Sequence, residues 1–92
     1  MRITFDSSKR AQALRERGLD FARARELFAG PTLSFVDARR DYGEVRTVTV
    51  GLSDGRLTMV VWTQRGSARR VISMRHCNER EQRRFEAFLT QV

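Results

Sequence analysis

The sequence predicts an α+β domain: two N-terminal helices, a four-stranded antiparallel meander sheet, and a C-terminal helix. A short N-terminal edge strand at Ile3–Phe5 is allowed by the same pattern. Three observations carry this prediction. Between Val45 and Arg75, apolar and polar residues alternate in three runs, the period of strands. Asp54-Gly55 separates the first two runs, a strong hairpin signal, and Arg65-Gly66-Ser67-Ala68 separates the second and third. Segments with helical spacing and cap residues flank this block on both sides.

Taken in order, Asp6 or Ser7 supplies the N-cap of the first helix, because either side-chain oxygen can accept an orphan backbone N–H. Ala11, Leu14 and Ala13 give that helix a thin apolar stripe, and Gly18 suits a left-handed C-terminal cap. Asp20 caps a second helix over Phe21–Ala29, whose Phe21, Ala24, Leu27 and Phe28 share one face; Gly30-Pro31 ends it. Thr32–Val36 reads as the first strand of the meander, and Asp37–Gly43 as a charged, mobile loop. Asn78 caps the last helix, with Glu81 placed to complete a capping box. Phe85, Phe88 and Leu89 form that helix's apolar stripe, while Arg80, Arg83 and Arg84 face outward.

The turns also predict a register. Leu52 facing Leu57 sets Val50 against Met59 and Val48 against Val61. Gln64 facing Arg69 sets Val61 against Ile72 and Met59 against Met74. One face then collects Val48, Val50, Leu52, Leu57, Met59, Val61, Ile72 and Met74, and the helices are expected to cover it. The other, with Thr49, Thr58, Trp62, Gln64, Arg69, Ser73 and Arg75, is expected to lie open. Arg46, Thr63 and Arg70 gather at the rim of the core face.

Composition narrows function. The 92 residues suit one domain spanning 1–92, with 40% hydrophobic residues and no apolar run long enough to cross a bilayer. The N-terminus lacks the apolar core of a signal peptide, and a lone cysteine, Cys77, suits a reducing compartment; a cytoplasmic protein is expected. Basic residues outnumber acidic ones, 18 to 11, for a net charge of +7, and all but Lys9 are arginine. Arginine's planar fork grips phosphate in bidentate fashion, although GC-rich codons also favour it. The charge predicts an anionic partner, and RNA is the one expected.

Metal and cofactor chemistry find no support. His76 has no second histidine and Cys77 no second cysteine with which to complete a site, the carboxylates are scattered, and the nucleotide-binding glycine loops are missing. RNA can nevertheless be cleaved without a metal, because its 2′-hydroxyl is the nucleophile. The protein then has to stabilise charge on the phosphorane, a task for arginine, and move protons. Glu44, Tyr42, His76 or a structured water could serve the second need. Arg46 with Glu44 reads either as a rim salt bridge or as a phosphate ligand beside a carboxylate base. Arg65 with Gly66 reads as a solvated turn or an RNA grip, and Arg70 and Arg75 as strand-edge cations or phosphate ligands. Thr63, Arg69, Ser73, His76 and Arg80 are candidate RNA contacts. Trp62 reads as core filler before base-stacking platform.

These residues also carry a resemblance. Phe5-Asp6…Lys9, Gly18-x-x-Phe21-x-x-Ala24-x-x-x-Phe28-x-x-Pro31, Gly43-Glu44-x-Arg46 and Gly51 follow one another in the order of the BrnT family. So do Thr63-x-Arg65-Gly66, Arg70-x-Ile72-Ser73-x-Arg75 and the helix bearing Glu81. The chain resembles this family of toxins from bacterial type II toxin–antitoxin modules over its whole length. Departures include Glu16-Arg17 in place of Lys-His and Phe85 in place of a tyrosine. The resemblance implies a RelE-like fold and ribonuclease activity that inhibits translation. It also implies a BrnA-like ribbon-helix-helix antitoxin that neutralises the toxin, with operator DNA bound only through that antitoxin. The arginines that match are Arg46, Arg65, Arg70 and Arg75. A non-catalytic nucleic-acid-binding or regulatory subunit fits charge and sheet equally well.

Overall fold

A computed structural model of the chain describes residues 1–89. The elements run β1 (Arg2–Phe5), α1 (Ser7–Arg17), a 3-10 turn (Phe21–Arg23), α2 (Ala24–Ala29), β2 (Leu33–Val36), β3 (Thr47–Ser53), β4 (Arg56–Arg65), β5 (Ala68–His76) and α3 (Glu79–Leu89). They make an α+β structure with three helices and a five-stranded mixed sheet in the order β1-β5-β4-β3-β2. β2 to β5 form the antiparallel meander, and β1 adds at the β5 edge in parallel, opposite Ala68–Val71.

The caps act as the sequence indicates. The Asp6 carboxylate accepts from the Ser8 and Lys9 backbone N–H groups at 2.9 and 3.1 Å, and Gly18 closes α1 with φ +68°. Asp20 caps the next element, which opens as a 3-10 turn rather than as α-helix. Asn78 and Glu81 exchange bonds of 2.8 and 3.0 Å in a capping box at the start of α3. Of the expected α1 stripe only Ala13 is buried; Ala11 and Leu14 face solvent. On α3, Phe85 is buried but Phe88 is 55% exposed.

The register of the first hairpin is the expected one, with Leu52 opposite Leu57, Val50 opposite Met59 and Val48 opposite Val61. The second hairpin starts as expected, Gln64 opposite Arg69, and then departs. Trp62 faces Val71, Val61 faces Ser73 and Met59 faces Arg75, which leaves Ile72 without a partner. The expected pairings of Val61 with Ile72 and Met59 with Met74 are therefore wrong, and a β-bulge at Ile72 is the reason. It lies where β1 ends: Phe5 is opposite Val71, and beyond it β5 loses a neighbour. There the Arg17 side chain donates to the Met74 carbonyl at 3.0 Å.

The bulge reverses the alternation of the second half of β5, and the core is divided accordingly. On one face Val60, Val71 and Met74 pack with Ala13, Leu19, Phe21, Ala24 and Leu27 of the N-terminal helical segment. On the other face Val48 and Val50 pack with Cys77 and Phe85, flanked by Leu57, Met59 and Val61. The face expected to lie open is thus the one the N-terminal helices cover. Threonines disguised it. Thr49 and Thr58 are buried with their hydroxyls satisfied, Thr49 by the Trp62 indole at 2.8 Å and by Ser34, Thr58 through the Arg56 carbonyl and His76. Trp62 is core filler here, edge-on to Phe28. Gly51 lets α2 approach β3: a Cβ there would lie 3.0 Å from Leu27 Cγ.

A candidate nucleic-acid interface on the α3 face

The parity shift gathers the candidate residues. Arg46, Thr63 and Arg70 share the α3 face by strand alternation, as does Arg65. Past the bulge, Ser73 and Arg75 turn to that same face opposite Val61 and Met59. Expected outward on the far face, they are instead beside the rim arginines. α3 covers the Leu57–Val61 end through Phe85, and among the described residues no helix covers the Thr63 end.

Two linked clusters result. At the rim, Glu44 accepts from Arg46 Nε at 3.3 Å and from an Arg65 terminal N–H at 3.1 Å. The Thr63 hydroxyl donates to the Val45 carbonyl at 2.8 Å and is buried. Arg46 also lies over the Tyr42 ring, 4.1 Å from its centroid, which fixes its guanidinium. Arg70 lies between Thr4 and Thr63 and makes no ion pair among the described residues.

The second cluster lines a cleft of about 310 Å³ between the chain after β2 and α3, with Ser73, Val61 and Met59 in its floor. Arg75 makes a bidentate pair with Glu81 at 2.8 and 2.7 Å. On the opposite wall, Asp37 is tied bidentately to Arg39, both contacts at 2.8 Å, and accepts the Tyr42 hydroxyl at 3.0 Å. Asp37 N–H also donates to the Arg46 carbonyl at 2.8 Å, extending the β2–β3 ladder. The segment expected to be a mobile loop is therefore stitched to the sheet, because one buried carboxylate collects donors from Arg39 and Tyr42 while the Asp37 backbone N–H bonds to Arg46. Its signal was present: an aspartate two residues before an arginine and five before a tyrosine.

Electrostatics follow from these pairs. Bonds from Arg39, its backbone N–H and Tyr42 hold the Asp37 carboxyl well below the ordinary carboxylate range. Glu81 is lowered to about 2, chiefly by Arg75 and then by the Asn78 N–H. A depressed carboxylate stabilises the fold above its unfolded pKa, and that contribution fades as pH falls through the folded value. The stability difference between wild type and Glu81→Gln should therefore shrink as pH falls from about 4.5 to about 2. Urea titrations across that window would measure it; a constant difference would mean the pair is not formed.

Arg69 and His76 are not brought to this face. Arg69 stacks on Phe28 and Trp62, at 4.6 and 4.3 Å, beneath the N-terminal helical side. His76 Nδ1 lies 3.1 Å from Thr58 Oγ1, and burial together with Arg56 pushes its pKa below the usual histidine value. Arg80 is exposed on α3. Burial raises the Cys77 thiol to about 11, which makes it inert at neutral pH. Among the described residues no group of three or more His, Cys, Asp or Glu side chains is placed to hold a metal ion. None of their helices is long and apolar enough to cross a membrane.

Comparison with known families decides the class. The family model described as ribonuclease toxin, BrnT, of type II toxin-antitoxin system matches residues 5–81. The chain belongs to the BrnT family. A search of individually curated proteins returned no match. BrnT membership brings a ribonuclease toxin, an RNA substrate and an antitoxin partner. The matched span runs from β1 to the Glu81 that holds Arg75, so it includes both clusters of the α3 face.

Proposed function

We propose that the chain is a single-domain, RelE-like RNA endonuclease, acting in the cytoplasm, that cleaves on the α3 face of the sheet without a metal ion. The observation that carries this reading is the bulge at Ile72, which puts Ser73 and Arg75 on one face with Arg46, Arg65 and Arg70. With Arg39 and Arg84 of the cleft, six guanidiniums stand against three carboxylates, Asp37, Glu44 and Glu81. That balance suits a phosphodiester chain.

The 2′-hydroxyl of the nucleotide attacks its own 3′-phosphorus. A 2′,3′-cyclic phosphate forms, and the bond to the departing 5′-oxygen breaks. Arg46, Arg65 and Arg70 stabilise the charge that grows on the non-bridging oxygens, and Arg75 holds the strand in position beside them; fixed donors of this kind often supply the largest catalytic term. Glu44 takes the 2′ proton when the phosphate draws Arg46 and Arg65 from it, and water protonates the leaving 5′-oxygen. Thr63 and Ser73 shape the surface, and Arg80 extends the positive track along α3.

Cleavage of a defined RNA should persist in excess EDTA, and folded Arg46→Ala should cleave at least tenfold more slowly. Complete loss on chelation would replace this reading with a metal nuclease. A second reading, a non-catalytic RNA-binding subunit, is favoured by one observation: all three carboxylates of the face are already engaged by arginines. Intact RNA after long incubation with the antitoxin-free protein, alongside salt-sensitive binding, would support it. The ribbon-helix-helix class of the antitoxin, and operator binding only through it, rest on the family resemblance. A neighbouring reading frame with that pattern would support them.

A further inference from the structure

Three arginines line the cleft beside α3, and two of them, Arg39 and Arg75, are not fully used by their carboxylates. A guanidinium carries five N–H donors. Arg39 spends Nε–H and one Nη2–H on Asp37, which leaves three, including its end-on Nη1/Nη2 pair. Arg75 spends both Nη1 hydrogens and one Nη2 hydrogen on Glu81 and the His76 carbonyl, which leaves its side-on Nε/Nη2 pair. Each guanidinium is thereby oriented by an acid on its own wall, and among the described residues a complementary donor edge has no partner. Arg39 is 78% exposed, while the Asp37 side chain holding it is 3% exposed. It is a presented cation on a buried anchor.

Arg39 and Arg75 line the same cleft, with the Ser73 hydroxyl in its floor. Their charges are close enough for Arg39 to act against the protonation of Arg75. Two like charges held near each other by separate anchors favour an anion between them. Orientation in advance also lowers the side-chain entropy lost on binding.

We infer that Arg39 and Arg75 form a two-armed clamp for one RNA phosphate, with Arg39 as a substrate-binding residue. The inference rests on the ribonuclease reading of the α3 face and adds a second phosphate position to it. Ser73 and Thr63 point to the same face two rows apart, because their cross-strand partners Val61 and Arg70 bracket the bulge. Arg75 itself is opposite Met59, four residues along β4 from Thr63, about 13 Å. That is comparable with two steps between successive phosphates of an extended strand. A strand crossing the face therefore places one phosphate at the Glu44–Arg46–Arg65 rim and the next but one in the clamp.

The probe is a 2′-O-methyl RNA dodecamer, which lacks the nucleophile and is not cleaved. Its affinity for the full chain is measured by fluorescence anisotropy from 50 to 200 mM salt. Arg39→Gln keeps a donor for Asp37 and removes the charge; it should bind about tenfold more weakly, with the log–log salt slope reduced by about 0.7, one single-strand phosphate contact. Asp37→Asn weakens the anchor but keeps the cation, and its slope should not fall. If Arg39→Gln keeps the wild-type slope, the clamp is wrong, whatever its affinity. Unchanged Arg39→Gln binding beside a cleavage-dead Arg75→Ala would overturn the clamp and leave the ribonuclease reading standing. Uncleaved substrate RNA with wild-type protein, alongside the slope change, would remove the ribonuclease reading and leave a phosphate-binding cleft.

Discussion

Arg75→Ala is expected to lower RNA cleavage by about two orders of magnitude while the protein remains folded, because losing the hold on one phosphate misplaces the scissile one at the rim. The fold should survive because Arg75 is nearly half exposed, so solvent screens part of its pair with Glu81 and can take over its place. Glu81 retains its bond from the Asn78 N–H, so the cap of α3 persists. Arg75→Lys separates charge from geometry: it keeps the cation but loses the bidentate fork, and should recover only part of the rate. Single-turnover kinetics with saturating enzyme would report the chemical step. A folded Arg75→Ala protein that cleaves at the wild-type rate would remove Arg75 from the site and with it the argument from the bulge.

Leu27→Ala should be the most damaging substitution for stability. Leu27 is fully buried, and its side chain fills the space directly above Gly51. Truncating such a leucine costs about 2–5 kcal/mol through lost transfer energy and the cavity left behind. A chain of this size has a total stability of only about 5–14 kcal/mol, so the melting temperature should fall by more than about 10 °C. The partner test is Gly51→Ala. Alone, its Cβ would meet Leu27 at 3.0–3.1 Å and Thr32 at 3.2 Å, an overpacking cost of about 1–3 kcal/mol. In the Leu27→Ala background the same methyl enters vacated space, so the double variant should be less unstable than the sum of the two. Additive losses in urea unfolding would show that the contact is not what limits either position.

Local signals were legible in the sequence wherever one residue type enforces one conformation. Asp6, Gly18, Asp20, the Asn78–Glu81 box and the Asp54-Gly55 turn all act as their chemistry dictates. Both turn residues of the hairpin have positive φ, +50° and +74°. The bulge was not legible, because Ile72 is apolar in either register and nothing local marks it as the extra residue. Everything downstream inherited that error: the face of Ser73 and Arg75, the partner of Met74, and the apparent openness of the Thr49–Thr58 side. Buried threonines added to it, since their hydroxyls find partners only in three dimensions. The rim was read more successfully. Glu44, Arg46 and Arg65 are close in sequence or tied to a turn, and they do meet. Arg39 was missed as a candidate because its significance depends on Arg75 arriving from a distant strand.

The unpaired residue of β5 also limits how this protein can change. Deleting Ile72 would remove only the extra residue: Trp62 would still face Val71 and Val61 would still face Ser73, so Ser73, Met74 and Arg75 would keep their present faces. Drawing Ile72 into the ladder would do the opposite. Arg75 would then point toward the N-terminal helices, and Met74, now fully buried, would be expelled from the core. The strand can therefore lose this residue without losing the site, but cannot absorb it into regular pairing and keep either the site or the core.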